Sequence, residues 1–330
     1  MENLPFKKHS LLFAPMEGVT DGAYRLAVGR AFSEWDYFST DFFRVPSVGN
    51  IYPEALNNHY GKRALENKKL YQKTSYQILT SARAQTKETV SIINDLGYHH
   101  LDLNLGCPSK KVNAHHGGAF LLSDLDALRV IIKEIRESFK GVFTAKIRVG
   151  YKDDLNFLNI LKLLEDEGVE AITIHARTRD QLYQGIADWK YIKQAVKACN
   201  IPIIGNGDIW TVEDIVRIFD ECDPYAVMLG RSALKTPWLA TLFDQFKDNS
   251  HFLSEEFLLE ERKQHLDTYF YELEKEFRIE GLKEEIILKR FKSFSRYIFD
   301  DFPDFETVRG RFLRSEKLEH FKDHLSNLIV

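Results

Sequence analysis

Cysteine is scarce in this chain. Three in 330 residues cannot form a disulfide framework, so a reducing compartment is expected. Long apolar runs are missing as well. The run near the start, Leu11-Leu12-Phe13-Ala14, stops at Pro15 and is too short for a signal peptide or a membrane span, which predicts a cytoplasmic protein without a membrane partner. Neither sign of charge dominates: 45 Lys and Arg stand against 49 Asp and Glu, a net charge of −4. That balance argues against indiscriminate nucleic-acid binding, so a polyanionic partner would need a local basic surface. Also absent is a Gly-x-Gly-x-x-Gly turn after the first apolar run, the fingerprint of a doubly wound dinucleotide fold. No metal is expected, and the chain is read as a monomer.

What is present is periodicity. With 44% hydrophobic residues the chain is long enough for one large core and a smaller second unit. Short apolar runs alternate with helical patterns up to about residue 245, as in repeated strand-helix units around a parallel sheet. Strands are predicted near 11–16, 37–43, 74–79, 100–106, 143–149, 171–176, 201–206 and 226–230, with amphipathic helices at 124–139, 155–167 and 212–220. Eight units in about 250 residues is the size of a (β/α)8 TIM barrel, with the doubly wound sheet as the weaker alternative. The expected organisation is a barrel over 1–245 and a small all-helical C-terminal domain over 246–330.

A barrel carries its chemistry at the C-terminal ends of its strands. There the chain places Pro15, Met16 and Glu17, then Asp41, Gln77, Asn104 with Cys107, Lys146 with Arg148, His175, Asn206-Gly207-Asp208, and Gly230-Arg231. Each has an ordinary explanation, such as a solvated lysine or a hydrogen-bonded core histidine. Polar groups recurring inside apolar strands are costly unless paired or used, and several at equivalent positions favour a site. The leucines of Leu101-Asp102-Leu103-Asn104-Leu105 alternate with polar residues as in a half-buried strand, and Gly106 and Pro108 end it on either side of Cys107. A lone cysteine there is equally a small core residue until partners are found. Lys110 and Lys111 are candidates to lower the thiol's pKa or to attract an anion. Gly205, Gly207 and Gly230 with Arg231 suit the phosphate site that this architecture builds after its last two strands, so a phosphorylated cofactor is expected.

Beyond about residue 252 only helical patterns remain, at 255–273, 283–299 and 305–328. Lys289, Lys292 and Arg296 fall on one helical face and Phe291, Phe294 and Ile298 on another, with a second basic cluster at Arg309, Arg311 and Arg314. A solvated face explains either cluster alone. Both together on an acidic protein fit an RNA-backbone surface better.

The motifs Ala14-Pro15-Met16-Glu17-Gly18-Val19-Thr20-Asp21, Leu103-Asn104-Leu105-Gly106-Cys107-Pro108-Ser109-Lys110 and His175-Ala176-Arg177-Thr178-Arg179-Asp180-Gln181 resemble those of tRNA-dihydrouridine synthases. Tyr183-Gln184-Gly185-Ile186-Ala187-Asp188-Trp189, Gly205-Asn206-Gly207-Asp208-Ile209 and Gly230-Arg231-Ser232-Ala233-Leu234 continue the resemblance in order through the barrel. The form is most similar to the bacterial subgroup called dihydrouridine synthase C, which acts on the uridine at tRNA position 16. Ala176 and Ser232 stand where the family usually has glycine, and His115-His116 fills a loop usually rich in small residues.

The resemblance implies FMN, transient NADPH or NADH as reductant, and reduction of a uracil 5,6 double bond in tRNA. It also implies that Pro15, Met16, Glu17, Gln77, Lys146, His175, Asn206, Gly207, Asp208, Gly230 and Arg231 hold FMN and that Cys107 donates the proton. Asp41, Asn104 and Arg148 would meet the target nucleotide, and Lys289, Arg296 and Arg309 the tRNA backbone. Rival readings are another FMN barrel that acts on a free pyrimidine, like a dihydroorotate dehydrogenase, and a non-catalytic tRNA-binding module.

Overall fold

The structure, a computed structural model, describes residues 4–249, 254–302 and 304–329. The composition change near residue 252 lies outside them. Among the described residues nine parallel strands occur in order: β1 Ser10–Phe13, β2 Tyr37–Ser39, β3 Phe43–Arg44, β4 Thr74–Leu79, β5 His100–Leu105, β6 Val142–Arg148, β7 Ala171–His175, β8 Ile203–Asn206 and β9 Ala226–Leu229. Each strand from β4 to β9 pairs with the next, β9 returns to β1, β1 pairs β2, and a β2–β4 pairing shuts the ring. The result is an eight-stranded TIM barrel with β3 as a two-residue extra on β4. Eight strands were expected and eight form the ring; the run predicted at 37–43 is interrupted. The β2–β4 ladder ends at Thr40, whose amide donates to the Ser75 carbonyl at 3.0 Å while its hydroxyl accepts from the Gln77 amide at 2.9 Å.

Some helices between the strands begin at a side-chain cap. Asp124 accepts from the Ala127 amide at 3.0 Å and opens the helix Leu125–Ser138, whose Leu128, Ile131, Ile132 and Ile135 are buried at helical spacing. Strand β5 is buried on both faces, not half-buried as the alternation suggested. In a closed barrel the outward leucines are covered while His100, Asp102 and Asn104 point to the interior. The interior is graded along its axis. Phe6, Leu12, Tyr37, Ile204, Ala226 and Met228 form an apolar cluster at its lower levels, whereas Asn104, Lys146, Arg148, His175 and Asn206 stand at the strands' C-terminal ends.

Contacts divide the chain into two compact units. One holds the strands and runs up to Gly22, then Asp36–Ile209 and Glu213–Leu229; the other takes Ala23–Trp35, Trp210–Val212 and the chain from Gly230. In the second unit the helices Glu255–Ile279, Glu284–Ile298, Phe305–Arg314 and Leu318–Ile329 surround an aromatic core. Phe299 stacks on Phe312 at 4.1 Å, and Phe312 meets Phe321 at 4.8 Å. The continuous helix predicted over 305–328 is therefore broken. Ser315 turns extended at ψ 127°, which lets Phe312 and Phe321 reach the same core from two helices.

Phe6 closes the apolar end of the barrel, its ring 5.1 Å from Tyr37 and 6.2 Å from Tyr225. Phe6→Ala is expected to lower unfolding stability by about 3 kcal/mol, the lower end of the range for such truncations. Urea titration followed by tryptophan fluorescence measures it, and an unchanged midpoint would contradict the placement.

Candidate active site

Strand register brings the expected residues of the first unit to one end of the barrel. Asn104 pairs with Lys146, Arg148 with His175, and His175 with Asn206. Each then acquires specific partners. Asn206 donates to the Met228 carbonyl at 2.7 Å, which fixes its own carbonyl toward Lys146 Nζ at 3.1 Å. Arg148, 1% exposed, donates from Nε to the Gly106 carbonyl at 2.9 Å and from Nη1 to those of Thr178 and Leu182 at 2.8 Å. It thereby ties the loop after β5 to the loop after β7, and its guanidinium lies 5.5 Å from the half-exposed Tyr183 ring.

Cys107 sits half-buried just past the end of β5, on a backbone held from several sides. Asn104 Oδ1 accepts from the amides of Gly106 at 3.0 Å and Cys107 at 2.9 Å, while Asn113 Nδ2 donates to the Cys107 carbonyl at 3.1 Å. Gly118, at φ +58°, passes so close that an added Cβ would stand 3.3 Å from Cys107 Cβ. The left-handed backbone disfavours a larger residue, and Val112 and Cys107 would have to give by a few tenths of an ångström to admit one.

Burial raises the Cys107 thiol's pKa above its ordinary 9.0, helped by Glu17, while the Ser109 amide and the charges of Arg44 and Arg148 oppose it. The expectation that Lys110 and Lys111 lower that pKa is corrected. Their side chains are exposed, and the cations acting on the sulfur are the two arginines. The group is a thiol at neutral pH, a proton donor before it is a nucleophile.

Charge at the site is mostly positive. Burial pulls Lys146 down to about 8, with Arg148 adding to the effect and Asp102 opposing it. Burial also brings Arg148 down to about 10. The fully buried Arg177 forms an ion pair with Asp208, donates to the Gly185 carbonyl at 2.7 Å and approaches His175 Nε2 at 3.3 Å. That nitrogen therefore accepts, and the imidazole proton belongs on Nδ1. Asp208, left-handed at φ +49°, also accepts from the Ala187 amide at 2.8 Å, and Trp189 Nε1 donates to the Gly207 carbonyl at 2.8 Å. Gly207 packs so tightly that a Cβ would stand 2.9 Å from Ala187 and 3.0 Å from His175.

The other expected residues lie as follows. Gln77 is fully enclosed, joining Asp102 at 2.7 Å to Asn104 at 2.9 Å, so it acts on the mouth through those neighbours. Pro15 and Met16 are partly buried, Glu17 is exposed, and the Met16 amide donates to Thr20 Oγ1 at 3.0 Å. Asp41 lies 3.3 Å from His59 Nε2. Gly230 and Arg231 belong to the second unit, where the Arg231 guanidinium stacks 5.0 Å from the Trp210 ring. Also in that unit, Lys289 and Arg296 are exposed on one helix face, whereas Arg309 pairs with Asp300 at 3.0 Å. His116, at φ +56°, stacks on Phe120 at 4.4 Å.

Sequence reasoning gave no role to Asp102 and Arg177. For Asp102 the available signal was a charged residue between two leucines of a strand; Arg177, past the end of β7 between Ala176 and Thr178, offered only its place in a motif. Among the described residues no group of His, Cys, Asp and Glu is arranged for a metal, and no helix is long and apolar enough to cross a membrane.

Comparison with known proteins agrees with this geometry. A family profile described as dihydrouridine synthase matches residues 12–321. The chain is 32% identical over 283 residues to the tRNA-dihydrouridine synthase B of Pasteurella multocida, which covers 82% of this chain and 81% of that protein. It is 34% identical over 236 residues to the tRNA-dihydrouridine(16) synthase of Pseudomonas syringae pv. tomato, covering 70% and 73% of the two. A probable tRNA-dihydrouridine synthase of Rickettsia bellii is 31% identical over 248 residues, covering 72% and 71%.

Proposed function

The chain belongs to the dihydrouridine synthase family, and we propose that within it the enzyme reduces one D-loop uridine of tRNA, at position 16, with FMN as cofactor and NADPH or NADH as reductant. The observation that carries this reading is the half-buried Cys107 thiol, on a backbone held by Asn104 and Asn113, at the end of the barrel where strand register also gathers Lys146 and Arg148.

The donor set fits FMN. Lys146, His175 and Asn206 lie at adjoining strand ends, side chains of a kind suited to the polar edge of a flavin pyrimidine, and excess positive charge suits an electron-accepting ring. Pro15, Met16, Glu17, Gly207 and Asp208 belong to the same proposal, with Gln77 acting through Asn104. When bound, FMN supplies the hydride that no side chain of the protein can provide.

The chain's own residues do the rest. Cys107 gives its thiol proton to uracil C5, and the held backbone around it fixes the direction of that transfer. Asn104, Arg148 and Asp41 contribute to the electrostatics and positioning of the target nucleotide. A uracil stacked in folded tRNA cannot reach the mouth, so the nucleotide must be extruded, at least cost from a flexible loop. Lys289, Arg296 and Arg309 of the helical region 246–330 neutralise tRNA phosphates, which makes binding weaken with salt.

Nucleotide-resolved mass mapping tests the proposal on tRNA incubated with the purified chain, FMN and NADPH. A gain of two hydrogens at uridine 16 is expected. A gain at another D-loop uridine would assign the chain to a different specificity, and unmodified tRNA would overturn the reading. Cys107→Ala should keep FMN and tRNA binding but lose at least about a hundredfold in turnover, the low end for general acid catalysis; ordinary rates would refute the acid role.

Lys146 adds a pH signature. The amine is charged below about 8 and neutral above it, so FMN affinity should fall as pH rises through that value. Lys146→Met should flatten the dependence in a fluorescence titration. The same slope in both proteins would remove Lys146 from the site.

A further inference from the structure

Below the mouth, a row of polar side chains crosses the barrel interior with no break. The Tyr37 hydroxyl lies 2.8 Å from His100 Nδ1, and His100 Nε2 lies 2.9 Å from Thr144 Oγ1. Thr144 donates to Asp102 Oδ1 at 2.6 Å, and Gln77 Nε2 donates to Asp102 Oδ2 at 2.7 Å. Gln77 Oε1 then accepts from Asn104 Nδ2 at 2.9 Å, and Asn104 Oδ1 accepts from the Gly106 and Cys107 amides. Tyr37, Gln77, His100, Asp102 and Thr144 are all less than 5% exposed, and Asn104 is 9% exposed.

The backbone amides at one end and the Asp102 carboxylate set the direction of the stretch between them. Backbone N–H groups only donate, so Asn104 must turn its oxygen to the Cys107 loop and its NH2 to Gln77. Gln77 must then offer its oxygen to Asn104 and its NH2 to Asp102, and Asp102 Oδ2 must accept. Reversing any one amide sets donor against donor or acceptor against acceptor in a buried place, where an unmade hydrogen bond is expensive.

We propose that Asp102 is a positioning residue. As terminal acceptor it locks Gln77 and Asn104 in one orientation, and so holds the loop that presents Cys107. Burial pushes the Asp102 pKa up, while the bonds from Thr144 and Gln77 and the Lys146 charge pull it down. Burial brings His100 down to about 3, so the imidazole beside Thr144 is neutral. The role of Cys107 in turnover rests on the proposed reaction; the geometry that holds it does not.

The test reads Cys107 directly, as the rate of alkylation by iodoacetamide at fixed pH in the purified full-length chain. Peptide mass spectrometry follows Cys107 and, as internal control, Cys199, which is also partly exposed but lies past the helix Lys190–Ala198. Asp102→Leu and Gln77→Met each remove a link and should speed Cys107 alkylation up to about tenfold, the scale of one lost hydrogen bond, with Cys199 unchanged. Asp102→Asn keeps an acceptor oxygen and should stay within about twofold of the parent. With tRNA, the Asp102→Leu loss should fall on kcat while KM holds.

An unchanged Cys107 rate in Asp102→Leu and Gln77→Met overturns the proposal. A rise shared equally by Cys199 reduces it to general destabilisation, which also overturns it. So does Asp102→Asn behaving like Asp102→Leu. None of the alkylation outcomes depends on uridine being the substrate, so failure here is distinguishable from failure of the proposed function.

Discussion

A closed barrel keeps bulk water out of its packed interior, so every polar side chain pointing inward must find its partner there. The residues at the mouth of this barrel are governed by that constraint. Asn104 faces two backbone amides, Lys146 an amide oxygen, Arg148 three carbonyls, and Arg177 a carboxylate. None is placed by its rotamer alone. Each is placed by a fixed acceptor or donor within the protein itself.

The same burial that makes those bonds necessary also tunes the groups they hold. Leaving water penalises charge, so Lys146 and Arg148 lose affinity for protons while Cys107 gains it. These shifts act together. A thiol that stays neutral beside cations can deliver a proton, and an ammonium poised near neutral pH can respond to charge developing on a neighbouring ring. Moving the same residues to an exposed surface would leave neither property.

Much of this was legible in the chain. Eight apolar runs with turn signals gave the ring, because strand formation in a parallel barrel depends mostly on local pattern. The motif residues at the strand ends could be placed for the same reason. What could not be read depended on neighbours distant in sequence. Asp102 has a role only because register sets Gln77 on one side of it and Thr144 on the other. Arg177 gains its place from Asp208, which lies past the end of the next strand. The break at Ser315 answers an aromatic core assembled from four helices. Lys110 and Lys111 misled because proximity in sequence is not proximity in the electrostatic sense: they stand in water, and the sulfur is reached by Arg44 and Arg148.

The account's central claim is that Cys107 is presented as an uncharged acid. The most direct measurement is the pH dependence of Cys107 alkylation, resolved by peptide mass spectrometry from that of the other two cysteines. The account predicts a midpoint above the ordinary thiol value of 9.0. A midpoint near or below neutral pH, the mark of a thiolate nucleophile, would contradict it.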